Sequence, residues 1–199
     1  MDATFYFDVG SPNAYLAHRV VPGIEQRTGA RFDYVPVLLG GLFKATGNQS
    51  PLTAYAAIPA KLAYEGREIE RFVARHGLAA FRFNPHFPIN TLGLMRGAVA
   101  AGVLDVFEPY VEAVFVAMWE DGRDMADAAV VAEVLGAAGL PAAELLALAQ
   151  DDGVKAGLAA NTQRAVEDGV FGVPSFVVGG ELYFGKDRLG QVEEALLGS

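Results

Sequence analysis

The sequence predicts an α/β fold in which two strand-containing segments flank a long helical block. Three observations support this class: residues 1–40 alternate between strand-like and helix-like patterns, residues 59–168 have helical periodicity, and the last 30 or so residues return to strands around a Gly-Gly turn. The chain has 199 residues, 52% of them hydrophobic and 20% charged, which is enough apolar material for a substantial core.

The N-terminal segment predicts a β-α-β unit. Residues 3–8 are rich in aromatic side chains and predict a strand, residues 12–28 carry apolar side chains near helical spacing, and residues 32–38 predict a second strand. Ser11 followed by Pro12 is typical of a helix start, with serine as the cap and proline in the first turn. Strands joined in this way lie parallel, with a right-handed crossover.

The middle of the chain predicts a long irregular connection and then several helices. Residues 39–58 are rich in Gly, Asn, Ser and Pro, which favours a loop, and loops of this length in a compact domain are often functional. From Pro59 to about Asp168 the apolar side chains recur at helical spacing.

The C-terminal segment predicts a β-hairpin and a final helix. The run "PSFVV", then "GG", then "ELYF" is typical of two strands joined by a tight turn, and Asp187 is a candidate cap for a helix through Leu197. The order β-α-β, helical block, α-β-β-α is that of a thioredoxin-like fold. Residues 1–40 and 153–199 form its predicted thioredoxin-like domain, and residues 41–152 form an inserted loop and helical domain.

The composition excludes several classes of function. A formal net charge of −9 without a basic stripe argues against nucleic-acid binding. The sequence contains no cysteine, so dithiol exchange, disulfides and thiolate metal sites are impossible. His18, His76 and His86 lack metal-ligand spacing, so no metal is expected. We expect a cytoplasmic protein without membrane contact, because the sequence shows neither a secretory leader nor an apolar run of membrane-spanning length.

Two features predict a ligand site at one edge of the sheet. Ser11 lies at a helix N-terminus that follows the first strand, where ligands bind in such folds and where free N–H groups stabilise anions. Val173-Pro174 directly precedes a strand, which is natural if the bond is cis. A thioredoxin-like fold places a cis-proline loop opposite this helix start. The alternative that Ser11 only caps the helix stays open at this level.

Six segments carry a resemblance to a known family. They span residues 5–188 in the family's order: "FYFDVGSPNAYLA", "TGNQSP", "PAKLAY", "HFPIN", "GVFGVPSF" and "FGKDRL". With them the chain resembles the 2-hydroxychromene-2-carboxylate isomerase family, which is related to kappa-class glutathione transferases and to DsbA-like oxidoreductases. Where the oxidoreductases have Cys-x-x-Cys, this chain has Ser11-Pro12-Asn13-Ala14.

The resemblance implies that glutathione is the cofactor and that Ser11 donates a hydrogen bond to its sulfur. Val173, held by the turn at Pro174, would pair through its backbone with the cysteinyl unit of glutathione, as an added strand does. A free thiol has a pKa near 8.5, and one charge-assisted hydrogen bond plus a helix N-terminus is expected to lower it by about one to two units.

The resemblance also implies residues for the ends of glutathione. Asn48 and Lys61 match positions that hold its polar and charged groups, although Lys61 also suits a solvated helix start. Asp187 would receive the γ-glutamyl ammonium or cap a helix. Lys186 departs from the family, which usually has a neutral polar residue there, so its role is in question.

The family's reaction interconverts 2-hydroxychromene-2-carboxylate and trans-o-hydroxybenzylidenepyruvate in bacterial naphthalene breakdown, so the implied substrate is a small aromatic carboxylate. Relatives are commonly dimers, so a homodimer is expected. Three alternatives stay open: a kappa-type transferase that releases stable conjugates, a glutathione-dependent reductase, and a non-catalytic thioredoxin-fold binding module.

Overall fold

The computed structural model describes residues 2–198, and its elements follow the predicted order. The strands are β1 (Ala3–Phe7), β2 (Phe32–Pro36), β3 (Ser175–Val178) and β4 (Glu181–Phe184). The helices are α1 (Pro12–Thr28), α2 (Leu39–Thr46), α3 (Pro51–Ala54), α4 (Pro59–His76), α5 (Leu92–Val103), α6 (Phe107–Trp119), α7 (Ala128–Ala137), α8 (Ala142–Leu148), α9 (Asp152–Glu167) and α10 (Leu189–Leu197).

The four strands form one mixed sheet in the order β2-β1-β3-β4. β1 and β2 run parallel, whereas β3 runs antiparallel to both β1 and β4. The predicted β-α-β unit and β-hairpin are therefore confirmed. The hairpin turns at Gly179 and Gly180, whose φ angles of 59° and 87° favour glycine.

The prediction of an irregular connection over residues 39–58 was wrong, because this segment contains α2 and α3. α2 packs against α9, and its Leu42 is fully buried. A Cβ on Gly41 would lie 3.1 Å from Thr162 Cγ2, so the glycine permits close approach of the two helices. Ser50 caps α3, accepting a hydrogen bond from Thr53 N at 3.2 Å. Helix α2, the longer of the two, is stabilised by tertiary packing, which a local sequence pattern does not reveal.

The helical pattern predicted from Pro59 to Asp168 also needs a correction. Residues 78–91, between α4 and α5, are not helical and contain a cis bond between Phe87 and Pro88. Buried Asn84 holds this segment in place, donating to Met118 O at 2.9 Å and to Arg123 O at 2.8 Å. An internal side-chain amide thus replaces the helical hydrogen bonds.

One hydrophobic cluster joins the sheet to the inserted helices. It contains Phe5, Phe7 and Phe176 of the strands together with Phe115 and Trp119 of α6. Trp119 is fully buried and donates through Nε1 to Val9 O at 2.8 Å, which fixes the insertion to the end of β1. Within residues 2–198, no helix combines the length and apolarity needed to cross a bilayer.

Candidate functional site

The site begins at the turn between β1 and α1, residues 8–11, called here the Ser11 turn. Ser11 has the extended backbone of an N-cap, and its Oγ accepts a hydrogen bond from Ala14 N at 3.2 Å. Pro12 occupies the first helical position. The predicted cap is therefore confirmed, and the hydroxyl keeps its own proton for a second partner because the cap uses only a lone pair.

That second partner lies in the cis-proline loop, residues 171–174. The Val173-Pro174 bond is cis, as the fold predicts. Ser11 Oγ donates to Val173 O at 3.3 Å, and both residues are less than a tenth exposed. The structure thus brings together the two features that the sequence singled out separately. The bond is long, so a better acceptor near the hydroxyl can replace it at small cost.

Asp8 is a buried carboxylate that the sequence reasoning missed. Its side chain accepts from Gly10 N at 2.9 Å, Leu39 N at 2.9 Å and Thr91 Oγ1 at 3.0 Å, and it is 1% exposed. Burial raises the pKa of Asp8, while these hydrogen bonds act to lower it. One side chain therefore ties the Ser11 turn to the start of α2 and to the insertion. The strand predicted over residues 3–8 included Asp8, so no local signal set this residue apart.

The Ser11 turn is also packed tightly against the insertion. A Cβ at Gly10 would lie 2.6 Å from Thr91 Cγ2, so only glycine fits without movement. Val9 N donates to Met95 Sδ at 3.4 Å on the opposite side of the turn. The inserted helices consequently set the position of Ser11.

Asn13 is a second residue that the sequence reasoning left without a role. It stands in the first turn of α1, two residues after Ser11. Its Oδ1 is buried, and among the described residues it has no hydrogen-bond donor. A buried carbonyl oxygen without a donor is costly, so this atom is a natural acceptor for a ligand N–H or O–H group.

Asn48 lies beside the cis-proline loop. Its Nδ2 donates to Phe171 O at 2.8 Å, two residues before Val173. The Phe171 ring packs against that of Phe184 with centres 4.5 Å apart, and both rings are partly exposed. The structure therefore brings Asn48 to the loop that carries Val173 and gives that loop an apolar flank.

Lys61 is exposed in the first turn of α4. Its Nζ lies 4.5 Å from the centre of the Tyr55 ring, a cation–π contact within the 50–61 region. Among the described residues, the Lys61 side chain makes no hydrogen bond or ion pair with the Ser11 turn.

Lys186 and Asp187 follow a residue that is bonded to the cis-proline loop. Gly185 N donates to Pro174 O at 2.9 Å. Lys186 is 4% exposed, and its Nζ donates to both carboxylate oxygens of Asp187, at 2.9 and 3.0 Å. The prediction that Asp187 caps the last helix was wrong: it lies inside a 3₁₀ turn (Lys186–Arg188), α10 begins at Leu189, and its carboxylate binds an ammonium instead of backbone N–H groups.

Two cavities lie outside the Ser11 turn. One of about 530 Å³ separates α4 from the 3₁₀ turn and is lined by Tyr64, Glu68, Phe72, Lys186 and Asp187 among others. A larger one of about 900 Å³ lies against β2 and α6, away from the Ser11 turn.

The polar side chains that line the larger cavity are hydrogen-bonded to one another. His18 lies between Tyr34 Oη at 2.9 Å and Glu112 Oε2 at 3.0 Å, and Arg19 also binds Glu112. These contacts lower the pKa of Glu112 to about 2, chiefly through its hydrogen bond with His18. Over residues 2–198, no group of three or more side chains of the types His, Cys, Asp and Glu is arranged to hold a metal ion.

Comparison with known families shows to which family the chain belongs. The DSBA-like thioredoxin domain matches residues 3–197, nearly the whole chain. This chain belongs to the DsbA-like family. As a DsbA-like protein it has the thioredoxin-like fold predicted above.

Individual relatives confirm the predicted resemblance. The chain is 28% identical to 2-hydroxychromene-2-carboxylate isomerase from Sphingobium xenophagum over 97% of its own length and 96% of that protein. It is 28% identical to rat glutathione S-transferase kappa 1 over 92% of its length and 85% of that protein. A solved 2-hydroxychromene-2-carboxylate isomerase superposes with a TM-score of 0.84 at 26% identity, covering 98% of this DsbA-like chain and 94% of the other. These relatives support an isomerase-type enzyme related to glutathione transferases.

Proposed function

We propose that this protein is a glutathione-dependent isomerase that interconverts 2-hydroxychromene-2-carboxylate and trans-o-hydroxybenzylidenepyruvate, or a related aromatic carboxylate. The observation that carries the proposal is the hydrogen bond from Ser11 Oγ to Val173 O. The start of α1, the hydroxyl proton of Ser11 and the carbonyl of Val173, before the cis bond, meet there. The chain itself contains no cysteine. The thiol must therefore come from a bound molecule.

The residues at the Ser11 turn fit a cysteinyl peptide. Val173 O, two residues before β3, is an acceptor for the cysteinyl N–H, which would replace the long bond from Ser11. That exchange frees the Ser11 hydroxyl to donate to the sulfur. Buried Asn13 Oδ1 offers a second acceptor for a ligand donor. The cysteinyl N–H thus meets a weakly bonded acceptor, and Asn13 Oδ1 has no donor among the described residues.

The chemistry needs a nucleophile that adds and then leaves. When bound, glutathione supplies a thiolate that adds to the conjugated double bond and makes it a single bond for long enough to rotate. Ser11 holds the sulfur in its anionic form through its hydroxyl proton, and the positive end of the α1 dipole, with no acidic residue in its first turn, favours the anion. Asp8 and Thr91 keep the turn in place while this happens.

The remaining predicted residues take supporting roles. Asn48 holds the cis-proline loop through Phe171 O and is placed to meet a polar group of glutathione. Lys61 would bind a carboxylate at the other end of the tripeptide. Asp187 would face the γ-glutamyl end of the ligand, and Lys186 already binds its carboxylate. We propose further that the enzyme acts in the cytoplasm as a homodimer.

A kappa-type glutathione transferase is the second candidate. The rat kappa-class enzyme matches this chain at the same identity as an isomerase does, and it would use the same site. The two differ in the fate of the adduct: a transferase releases a stable conjugate, whereas an isomerase returns the thiol. Conjugation of a halonitrobenzene, measured beside isomerisation of the chromene, separates them.

The test of the proposal is glutathione affinity by calorimetry together with isomerase turnover, for wild type and Ser11→Ala. We expect wild type to bind glutathione and to isomerise the chromene only when it is present. We expect Ser11→Ala to lose at least about tenfold in turnover, which corresponds to one hydrogen bond to an anion of about 1.4 kcal/mol or more. Absence of glutathione binding by wild type would refute the proposal. Unchanged turnover in the variant would refute the role of Ser11.

A further inference from the structure

The pair Lys186–Asp187 has an unusual arrangement of charge. The ammonium of Lys186 is buried, and it contacts both oxygens of the neighbouring carboxylate, at 2.9 and 3.0 Å. Its Nζ also lies 5.2 Å from the centre of the Phe72 ring of α4. The side chain of Asp187 is 55% exposed. The carboxylate thus faces solvent with a fixed cation directly behind it.

This pair lies on the ligand side of the cis-proline loop. Gly185, the residue before Lys186, donates its N–H to Pro174 O at 2.9 Å. Lys186 and Asp187 also line the 530 Å³ cavity between α4 and the 3₁₀ turn. In the binding mode proposed above, a thiol peptide held at Val173 would extend its γ-glutamyl unit towards Asp187.

Two other carboxylates of the cavity wall are already paired with arginines, and Glu68 attracts Lys186 only from beyond contact distance. In the cavity wall, Glu68 binds Arg71, and Glu193 binds Arg27 at 2.5 and 2.9 Å. Within the described residues, Asp187 is the carboxylate that contacts Lys186. The unit that a ligand meets at this position is consequently a neutral ion pair and not a free carboxylate.

A neutral pair recognises a cationic end group poorly. A second ammonium at Asp187 would share oxygens that are already matched and would lie within a few ångströms of the Lys186 ammonium, which repels it. A neutral or anionic end group meets no such repulsion. The fit to glutathione is thus good at Ser11 and Val173 and poor at its γ-glutamyl ammonium.

We propose that Lys186 is a specificity residue that shifts this site towards low-molecular-weight thiols whose end group at Asp187 carries no ammonium. The inference rests on the proposed function, because it assumes a thiol peptide bound at Ser11. It separates this chain from a site in which Asp187 would stand alone and select for the ammonium of glutathione.

Calorimetric affinities for two thiols test the inference. The first is glutathione, and the second is glutaryl-cysteinylglycine, in which hydrogen replaces the γ-glutamyl ammonium. We expect wild type to bind the second thiol as tightly as glutathione or more tightly. We expect Lys186→Gln to favour glutathione by about tenfold, because Asp187 then stands free for the ammonium.

Two further variants control the experiment. Lys155→Gln also removes a lysine that is paired with an aspartate, since Lys155 binds Asp152 at 2.9 Å on the exposed face of α9. It should leave the preference between the two thiols as it is in wild type. Asp187→Asn leaves Lys186 as the sole charge of the pair. It should weaken the binding of glutathione more than the binding of glutaryl-cysteinylglycine. The comparison in wild type needs no substitution, so it holds even if a variant fails to fold.

The outcomes are distinct. A wild-type preference for glutathione of tenfold or more would overturn the inference and leave the proposed function standing. An unchanged preference in folded Lys186→Gln would likewise overturn the role of Lys186. Binding of neither thiol to wild type would overturn the proposed function and, with it, the inference.

Discussion

Ser11 Oγ lies 3.3 Å from Val173 O, although 162 positions separate the two residues in the chain. The contact joins the N-cap of α1 to the cis-proline loop, two residues before β3 begins. The same hydroxyl accepts from Ala14 N, so it both caps a helix and points a proton at the cis-proline loop. This double use of one side chain underlies each account of function given above.

Replacing Ser11 with alanine should separate its two uses. Loss of the cap leaves Ala14 N without its side-chain acceptor and should lower the free energy of unfolding by about 0.5–2 kcal/mol. Loss of the hydroxyl proton should raise the pKa of the bound thiol, measured by the ultraviolet absorbance of the thiolate against pH. Asp127→Ala, which removes the exposed cap of α7, is the matched control. It should show a stability loss alone, and an equal shift of the thiol pKa in it would contradict the assignment.

Asn48 should matter for binding more than for stability. Asn48→Ala removes the donor to Phe171 O on an exposed loop, so the stability cost should be no more than about 1 kcal/mol. Glutathione affinity should fall severalfold because the loop that carries Val173 is then less restrained. Asn48→Asp should be worse, since it sets a carboxylate against a carbonyl. Asn161 on α9 donates a similar hydrogen bond to Pro36 O, and Asn161→Ala should leave the glutathione affinity unchanged.

Asp8→Asn should destabilise the protein in a pH-dependent way. The amide nitrogen of asparagine must face either Gly10 N or the pair Leu39 N and Thr91 Oγ1, so at least one buried donor loses its acceptor, at about 1–3 kcal/mol. Burial raises the pKa of Asp8 above its ordinary 3.8, so the folded state holds this proton more firmly than the unfolded state.

The contribution of that proton to stability is therefore complete below about pH 3.8 and is lost as pH rises through the folded-state pKa. The difference between wild type and Asp8→Asn in urea unfolding should accordingly be largest in acid and shrink towards neutral pH. A difference that grows with pH would contradict this picture. Asp127→Asn, at an exposed cap, serves as the control and should show a small effect.

Glu112 should stabilise the protein with the opposite pH dependence. Its hydrogen bonds to His18 and Arg19 lower its pKa from an ordinary 4.5 to about 2. The contribution is therefore present above about pH 4.5 and is lost as pH falls towards 2. Because Glu112 is 47% exposed, Glu112→Gln should cost only about 1 kcal/mol at neutral pH. Chemical unfolding of both proteins from pH 7 to 2 checks this, and curves that fail to converge in acid would refute it.

Much of the fold followed from local patterns in the sequence. The aromatic strand at 3–8, the Ser-Pro helix start and the Gly-Gly hairpin each have a local physical cause, and all three are present. The helix α2 could not be predicted, because Gly40 and Gly41 oppose helix formation and packing on α9 outweighs them.

The site was predictable in part for the same reason. Ser11 and Pro174 carry strong local signals, and the fold class places them together. Asp8 and Asn13 carry no such signal: the significance of Asp8 depends on donors from Leu39 and Thr91, and that of Asn13 on an absent donor within the described residues. Long-range hydrogen bonding is invisible to a pattern in one short stretch.

The most direct measurement is a crystal structure of the protein with glutathione bound. Our account predicts the glutathione sulfur within hydrogen-bond distance of Ser11 Oγ and its cysteinyl N–H on Val173 O, in place of the present bond between those two residues. Glutathione bound elsewhere, or a Ser11–Val173 bond that persists beside a sulfur out of reach, would contradict it.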